Sequence, residues 1–372
     1  MKKFAIAASA LALVASTITA VPANASNVSA NNARYGTNCA QLNQVARGKG
    51  ADGSNLVCKV ETSGTFKDKR VWAYAKFPTI SALEVTIPAA PGGYEQVGRA
   101  MATAMVSEGI LKQEALFVNR PGAGGTIGLN HFLSYEQGAR NKVMVMGFAL
   151  VGGVISTKNA AKNSELVPGA RLMGEYEVVA VAANSPYRTL ADLVKDIRAK
   201  KKDLPIAGGN LGGIDHYTAV SFYEALGLTI KDLNYVVYSG GAQITAALLN
   251  GSSAAGIAGY GEFKSQVAAG TLRLLGVTAP SKVSAIPADT FRSQGVSLVS
   301  QNWRGIMLPK GTSKANRDLF IRAMDVARSG TSWRTAAATN SWMNNWLAGD
   351  KYLTWLKQEE AKLAKLYKDA GL

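Results

Sequence analysis

A repeated pattern of apolar segment, glycine turn and helical segment constrains what this chain can fold into. The turns read "PGGY", "PGAGG", "GGNLGG" and "SGG", and each lies between a short apolar run and a stretch of helical composition. Alternation of short strands with helices along a chain is typical of a parallel sheet covered by helices. The pattern therefore predicts an α/β protein with mostly parallel sheets flanked by helices.

The same turns indicate a possible binding function. Each one brings unpaired N–H groups to the start of a helix, where the helix dipole also favours an anion. Ligands of open α/β sheets bind beyond the carboxyl ends of the strands. Any single turn is explained equally well by tight-turn geometry, but four turns in one chain favour a shared anionic ligand.

Some segments carry predictions of their own. Thr189, with Asp192 three residues later, predicts a helix start with an acidic first turn. The segment 149–153, "ALVGG", is interpreted as a glycine loop after a strand, and residues 350–368 as an amphipathic helix. One face of an earlier predicted helix carries Val97, Met101, Met105 and Ile110.

The first 25 residues have the composition of a secretory signal peptide. Lys2 and Lys3 precede an uncharged, mostly apolar run over 4–20, and a small-x-small cleavage sequence ends at Ala25. A single membrane anchor is the alternative, but the run is short for a bilayer that needs roughly 20 residues. We expect export and cleavage after Ala25.

The two cysteines, Cys39 and Cys58, lie in the polar, glycine-rich segment that follows. An isolated pair in an oxidising compartment is expected to form a disulfide, with two free thiols as the alternative. The chain has only two histidines, His131 and His216, and neither stands at ligand spacing from the cysteines. No metal site is predicted.

Charge and motifs favour a binding protein over an enzyme or a nucleic-acid binder. The net charge is +16, but the basic residues are scattered and are not clustered with aromatic residues. There is no P-loop, nucleophile elbow or dinucleotide fingerprint, so no cofactor is predicted. His216 after Asp215 is the remaining candidate general base, but neither Ser221 nor Ser239 stands at a spacing that marks a nucleophile.

With these residues in view, the chain resembles the substrate-binding proteins of the tripartite tricarboxylate transporter family from about Leu83 to Leu372. "NRPGAGGTIG" is the most recognisable segment of that family. Three further blocks follow in the family's order, and they are closest to the branch that serves tricarboxylates such as citrate: "AGGNLGGIDHYTAV", "YVVYSGGAQITAALLNG" and "NWRGIMLPKGT".

The resemblance implies a monomeric, two-lobed periplasmic binding protein of the doubly crossed type II kind. Lobe 1 would comprise 82–184 and 300–372, and lobe 2 would comprise 185–299, with the extension 26–81 outside both. The implied function is capture of a tri- or dicarboxylate between the lobes and its delivery to membrane permease subunits. A ligand-sensing partner of a sensor kinase with the same fold is an alternative, as is an exported enzyme that uses His216.

Family members hold the carboxylate mainly through backbone amides and water. The ligand-binding positions implied in lobe 1 are Gly92, Gly93, Tyr94, Gly124, Gly125, Thr126, Phe148 and Ala149. Those implied in lobe 2 are Gly209, Asn210, Leu211, Gly212, Gly213, His216, Ser239, Gly240 and Tyr260. In the first loop, Tyr94-Glu95 stands where the family has Thr-Asp, and we expect this change to narrow the cleft or alter the ligand.

Overall fold

The computed structural model describes residues 26–209, 211–238 and 240–369. The predicted signal peptide and two predicted site residues, Asn210 and Ser239, lie outside the described residues. Within them the chain forms sheets of six, five and three strands, and helices accompany the two larger sheets. The predicted α/β class is confirmed. No helix in this part of the chain is both long and apolar enough to span a membrane.

The N-terminal extension is a three-stranded antiparallel sheet with the predicted disulfide. Its strands are β1 (Val45–Ala46), β2 (Leu56–Val60) and β3 (Arg70–Tyr74). Cys39 and Cys58 are bonded, with their Cα atoms 5.8 Å apart, and both are buried. The disulfide therefore ties the segment before β1 to the middle of β2.

The chain then builds the first part of a six-stranded sheet, which with its helices we call lobe 1. Its elements alternate strand and helix, as the glycine turns predict. They are β4 (Glu84–Ile87), α1 (Gly93–Ser107), β5 (Leu116–Asn119), α2 (Thr126–Tyr135), β6 (Lys142–Gly147), α3 (Phe148–Ser156) and β7 (Val167–Glu175).

A five-stranded sheet with its helices follows, which we call lobe 2. Its elements are β8 (Glu177–Ala182), α4 (Leu190–Lys200), β9 (Pro205–Gly208), α5 (Ile214–Ala225), β10 (Asn234–Val237), α6 (Gly241–Leu249), β11 (Ala255–Gly259), α7 (Tyr260–Ala268) and β12 (Leu272–Val277). The chain then returns to lobe 1 with β13 (Asn302–Leu308), α8 (Lys314–Ser329), α9 (Thr331–Thr339), β14 (Met343–Ala348) and α10 (Gly349–Asp369).

Both large sheets are mixed, in the orders β14-β7-β13-β6-β4-β5 and β10-β9-β11-β8-β12. The strands joined by helical crossovers pair in parallel, namely β4 with β5 and β6, and β9 with β10 and β11. The strands next to the lobe crossings, β7, β8 and β13, pair antiparallel with their neighbours. A strand that arrives from the other lobe has no crossover helix to impose parallel pairing.

The chain crosses between the lobes at Tyr176, the single residue that separates β7 from β8. It returns just before β13, where the Thr278 hydroxyl donates to the Ser300 carbonyl (2.8 Å) and accepts from the Glu177 N–H (3.0 Å). Strand β8 therefore belongs to the sheet of lobe 2, although the resemblance assigns residues up to 184 to lobe 1. The change of sheet falls within "EYEVVAVAANS", where Tyr176 between Glu175 and Glu177 separates the two strands.

The extension shares one hydrophobic core with lobe 1. The Tyr74 hydroxyl donates to the Asp325 carboxylate on α8 (2.7 Å), and the Arg322 guanidinium pairs with Asp52 (2.5 Å). Trp72 of β3 is fully buried in that core. A segment with little apolar content of its own is thus stabilised by packing against lobe 1.

The segment 149–153 is part of helix α3, and the loop interpretation is therefore corrected. A Cβ added to Gly152 would lie 2.4 Å from the Tyr367 hydroxyl, and one added to Gly153 would lie 2.1 Å from the Gly124 carbonyl oxygen. Glycine weakens a helix interior, but at these two positions the Tyr367 side chain and the Gly124 backbone leave no room for a Cβ.

Other local predictions are confirmed. The Thr189 hydroxyl accepts the Asp192 N–H (3.2 Å) at the start of α4. The C-terminal amphipathic helix forms as α10. The predicted apolar face of α1 is buried, including Val97, Met101 and Met105, whereas Ile110 is buried just beyond the end of the helix.

Candidate functional site

Two adjoining cavities lie between the lobes. One has a volume of about 300 Å³ and the other of about 390 Å³, and they share four lining residues. The shared residues are Gly93, Asp215, Asn302 and Arg304. We call the first the amide cavity and the second the acidic cavity, for the groups described below. A larger depression of about 660 Å³ runs along α4 and shares no lining residue with them.

The lobe 1 wall of the amide cavity is formed by the first residues of two helices. Gly93 begins α1 after β4, and Phe148 and Ala149 begin α3 directly after β6. Strands β4 and β6 are parallel neighbours, so both helices start at the same edge of the sheet. Two helix N-termini at one cavity provide positive partial charge for an anion.

Tyr94 lines the same cavity and caps α3. Its hydroxyl accepts the Leu150 N–H (2.9 Å), and burial raises the pKa of Tyr94 to about 12, so the phenol stays neutral. The neighbouring Glu95 instead bonds Arg99 (2.7 Å) and the Asn119 amide (3.1 Å). Of the two residues that depart from the family pattern, Tyr94 is thus the one that shapes the cavity.

The glycines of "NRPGAGGTIG" serve close packing of backbone. Gly124 and Gly125 have φ values of +63° and +92°, in the region that favours glycine. A Cβ added to Gly124 would lie 2.7 Å from the Cα atom of Gly153, and one added to Gly125 would lie 2.8 Å from the Pro88 carbonyl oxygen. Thr126 is buried, with its hydroxyl on a carbonyl of the same turn. These three predicted site residues line neither cavity.

In lobe 2, backbone N–H groups of the glycine turns donate hydrogen bonds to side chains of the protein itself. The Gly209 N–H donates to the Asp215 carboxylate (2.8 Å). The Gly241 N–H, beside the predicted Gly240, donates to the Glu262 carboxylate (2.5 Å). The acceptor at each of these amides is therefore a carboxyl group of the chain.

His216 caps the same region. Its Nδ1 accepts the Gly212 N–H (3.1 Å), and its ring lies 4.7 Å from that of Tyr235, centroid to centroid. The side chain is buried, and burial lowers the pKa of His216, so the imidazole is neutral near pH 7. His216 lines neither cavity.

The remaining predicted residues of lobe 2 differ in whether they line a cavity. Gly213 lines the amide cavity, whereas Leu211 is 58% exposed. Tyr260 is buried at the start of α7, and its neighbours Gly259 and Gly261 line the acidic cavity. The structure thus brings together Gly93, Tyr94, Phe148, Ala149 and Gly213 from the predicted set.

Arg304 is a candidate functional residue that the sequence analysis missed. It lines both cavities, forms an ion pair with Glu175 (3.0 Å), and lies so close to Gly93 that an added Cβ there would be 2.6 Å from Nη2. Its guanidinium stands beside the N-terminus of α1 and adds a full positive charge there. Arg304 is the one charged residue of the strand "NWRGIML", and this is the signal that could have identified it.

Four carboxyl side chains line the acidic cavity: Glu175, Glu177, Asp215 and Glu262. Glu177 is fully buried, and its carboxyl is hydrogen bonded to that of Asp215. Burial first, and then the negative charge of Asp215, raise the pKa of Glu177 well above its usual range. Burial likewise raises the pKa values of Asp215 and Glu262.

Direct contacts between the lobes close one side of this cleft. The rings of Phe148 and Tyr217 meet edge to face, 5.3 Å apart between centroids. The Tyr367 hydroxyl of α10 donates to the Gly212 carbonyl. Helix α10 therefore bridges from lobe 1 to the glycine turn of lobe 2.

Comparisons with known proteins agree with this architecture. Residues 97–372 match the model of the tripartite tricarboxylate transporter family receptor. A TctC solute binding protein from Polaromonas, solved without ligand, shares 23% identity and a TM-score of 0.67, over 77% of this chain and 98% of its own. No significant match was found among curated proteins.

Two further solved structures share the fold. MatC from Rhodopseudomonas palustris, with bound malate, has 17% identity and a TM-score of 0.61, over 77% of this chain and 99% of its own. Another R. palustris protein, with adipate, has 18% identity and a TM-score of 0.64, over 78% and 97% respectively. Because the family model covers most of the chain, this protein belongs to the tripartite tricarboxylate transporter family of receptors.

Proposed function

We propose that this protein is a periplasmic solute receptor that captures a small carboxylate between its lobes and delivers it to the permease subunits of a tripartite transporter. The observation that carries the proposal is the convergence of the α1 and α3 N-termini with Arg304 on one cavity of about 300 Å³. A carboxylate there gains amide hydrogen bonds and a charge-assisted contact with a guanidinium.

The proposed ligand class is a small organic acid. The structural relatives with malate and with adipate support this size and chemistry. The family resemblance implies a tri- or dicarboxylate such as citrate. Additional carboxylates on the ligand would extend toward the four carboxyls of the acidic cavity, so we favour a ligand with fewer negative charges.

Export is part of this proposal. Removal of residues 1–25 would release the mature chain into the periplasm, and the disulfide between Cys39 and Cys58 fits an oxidising compartment. Catalysis by His216 is not part of it, since that imidazole holds the Gly212 N–H outside both cavities.

A thermal-shift screen of the mature chain, residues 26–372, tests the carboxylate site. Malate, succinate, glutarate, adipate and citrate are compared, and a ligand at 100 times its Kd should stabilise the fold by about 2.7 kcal/mol. In the Glu175→Gln/Arg304→Gln double variant, which removes both members of the ion pair, we expect Kd to rise at least about tenfold.

Arg334→Gln serves as the matched control, because Arg334 is exposed on α9 and lines neither cavity. Its affinity for the same acids should equal that of the wild type. The proposal is contradicted if no organic acid raises the melting temperature, or if the double variant binds as tightly as the control.

A further inference from the structure

Most of the side chains that line the amide cavity are apolar. Ala89 and Ala90 follow β4, Phe148 begins α3, and Ile214 begins α5 in lobe 2. Both lobes therefore contribute apolar surface to this cavity, beside the helix N-termini that carry the proposed carboxylate site. Burial of apolar ligand atoms against such a surface is favourable in proportion to the area removed from water.

This apolar surface is held in place by the core of the protein. The Phe148 ring lies 5.3 Å from the ring of Tyr217, centroid to centroid. Tyr217 follows Ile214 by three residues on α5, so the two side chains lie on the same face of that helix. Tyr94, Ile214 and Tyr217 are partly buried and pack against the core cluster that contains Phe148. The apolar lining is thus continuous with packed core.

The amide cavity provides positive charge for one carboxylate. Arg304 is the only cation among the described residues that line it, and its guanidinium is already paired with Glu175 (3.0 Å). The Leu150 N–H of α3 is also occupied, because it donates to the Tyr94 hydroxyl (2.9 Å). A second carboxylate buried in this cavity would have no opposite charge beside it, and burial of such a charge is costly.

The adjoining acidic cavity does not provide the missing charge. Four carboxyl side chains line it, of which those of Glu177 and Asp215 are hydrogen bonded to each other. Its cations are Arg304 and Lys264, and Lys264 is exposed and donates to the Ser341 hydroxyl (3.3 Å). A ligand with a second carboxylate would bring that group towards like charges, which disfavours its ionised form.

We propose that the ligand of this receptor is a monocarboxylate with an apolar body, and that Phe148 and Ile214 select it. The single carboxylate would lie at the N-termini of α1 and α3 beside Arg304, and the apolar body would lie against Phe148 and Ile214. This inference rests on the proposed receptor function and names its substrate class. It departs from the tri- or dicarboxylate that the family resemblance implies.

Four acids test this ligand class by isothermal titration of the mature chain. Acetate has a carboxylate without a body, pentanoate has a linear apolar body, and benzoate has a ring. Glutarate has the length of pentanoate but carries a second carboxylate at its far end. The tighter of pentanoate and benzoate should bind at least about tenfold more tightly than both acetate and glutarate, since only it buries apolar area without a second charge.

An Ile214→Lys variant locates the preference. It places a cation where the apolar body should lie, so the ratio of the two affinities should shift at least about tenfold from pentanoate towards glutarate. Ile127→Lys is the matched control, because Ile127 is an exposed residue in the first turn of α2 that lines neither cavity. It should keep the wild-type ratio. Circular dichroism checks that each variant is folded.

The outcomes separate this inference from the proposed function. If acetate, glutarate or another acid of the thermal-shift screen binds at least as tightly as the better of pentanoate and benzoate, the apolar-body class is rejected and the carboxylate receptor stands. If folded Ile214→Lys keeps the ratio of the control, Ile214 does not select the ligand and the assignment is overturned. The comparison of the four acids needs no variant, so it decides the ligand class even if Ile214→Lys does not fold. If no acid binds, both proposals fall.

Discussion

The carboxylate of Glu262 accepts the backbone N–H of Gly241, 2.5 Å away, at the first residue of α6. Asp215 accepts the Gly209 N–H in the same manner before α5. In lobe 1, by contrast, Gly93 and Ala149 line a cavity at the starts of α1 and α3. The cleft is therefore electrostatically asymmetric, with Arg304 and two helix N-termini on lobe 1 and three of the four carboxyls on lobe 2.

This asymmetry predicts a pH-dependent effect of Glu177→Gln. Because the folded-state pKa of Glu177 is raised, its contribution to stability is full below its ordinary pKa and is lost as pH rises through the raised value. The carboxyls that face it, Glu175, Asp215 and Glu262, raise its pKa further. The variant should melt about 2–4 °C above the wild type at pH 7.5 and equal to it at pH 4.

Differential scanning calorimetry at the two pH values measures this difference. Glu224→Gln, at an exposed carboxyl on α5, should leave the melting temperature unchanged at both. A lower melting temperature for Glu177→Gln at pH 7.5 would mean that the ionised carboxyl stabilises the fold, contrary to our interpretation.

Tyr94→Phe should destabilise the protein through α3. The change removes the acceptor for the N–H of the fully buried Leu150, and an unsatisfied buried donor costs about 1–3 kcal/mol. Urea unfolding measures the loss. Tyr135→Phe is the control, since Tyr135 is 77% exposed and its free energy of unfolding should not change. Equal stabilities for the two variants would show that the capping bond contributes nothing.

Gly125→Ala should lower stability more than Gly138→Ala. Both positions have a positive φ, +92° and +70°, so both variants carry backbone strain of about 1 kcal/mol or more. Only at Gly125 would the new Cβ also meet Leu150 and Pro88, at 2.8 Å each, whereas nothing lies within 4 Å at Gly138. If the two variants have the same free energy of unfolding, the close approach has no energetic consequence.

Removal of the disulfide should loosen the extension and weaken lobe 1 with it. The bond between Cys39 and Cys58 spans 19 residues, for which loop-closure entropy gives about 3 kcal/mol. In the Cys39→Ser/Cys58→Ser variant, the free energy of unfolding measured in urea should fall by about that much. Unfolding should remain a single transition, because the extension and lobe 1 share a core. A separate early transition would instead show that the extension unfolds alone.

Local patterns predicted much of this fold. Glycine turns between apolar runs and helical stretches indicated the α/β class, and Thr189 with Asp192 marked a helix start that forms as expected. These signals depend on residues a few positions apart, so the sequence displays them directly. The change of sheet at Tyr176 has no such signal, because the composition of a strand does not show which sheet its residues pair in.

The electrostatics of the site depend on distant pairs and could not be predicted in this way. Glu262 reaches the amide of Gly241 from 21 residues away, and Arg304 pairs with Glu175 over 129 residues. A glycine turn in sequence shows that amides are present, but not whether a side chain of the protein already occupies them. That distinction separates Gly93, which lines the cavity, from Gly209 and Gly241, whose N–H groups already bond carboxyl groups of the chain.

The most direct test of carboxylate binding compares an acid with its neutral amide by isothermal titration calorimetry. We expect the acid that binds most tightly in the thermal-shift screen to bind the wild type at least about tenfold more tightly than its amide, since only the acid places a negative charge beside Arg304 and the helix N-termini. The difference should largely disappear in Glu175→Gln/Arg304→Gln. Equal affinity of the wild type for the acid and the amide would contradict a carboxylate site in this cleft.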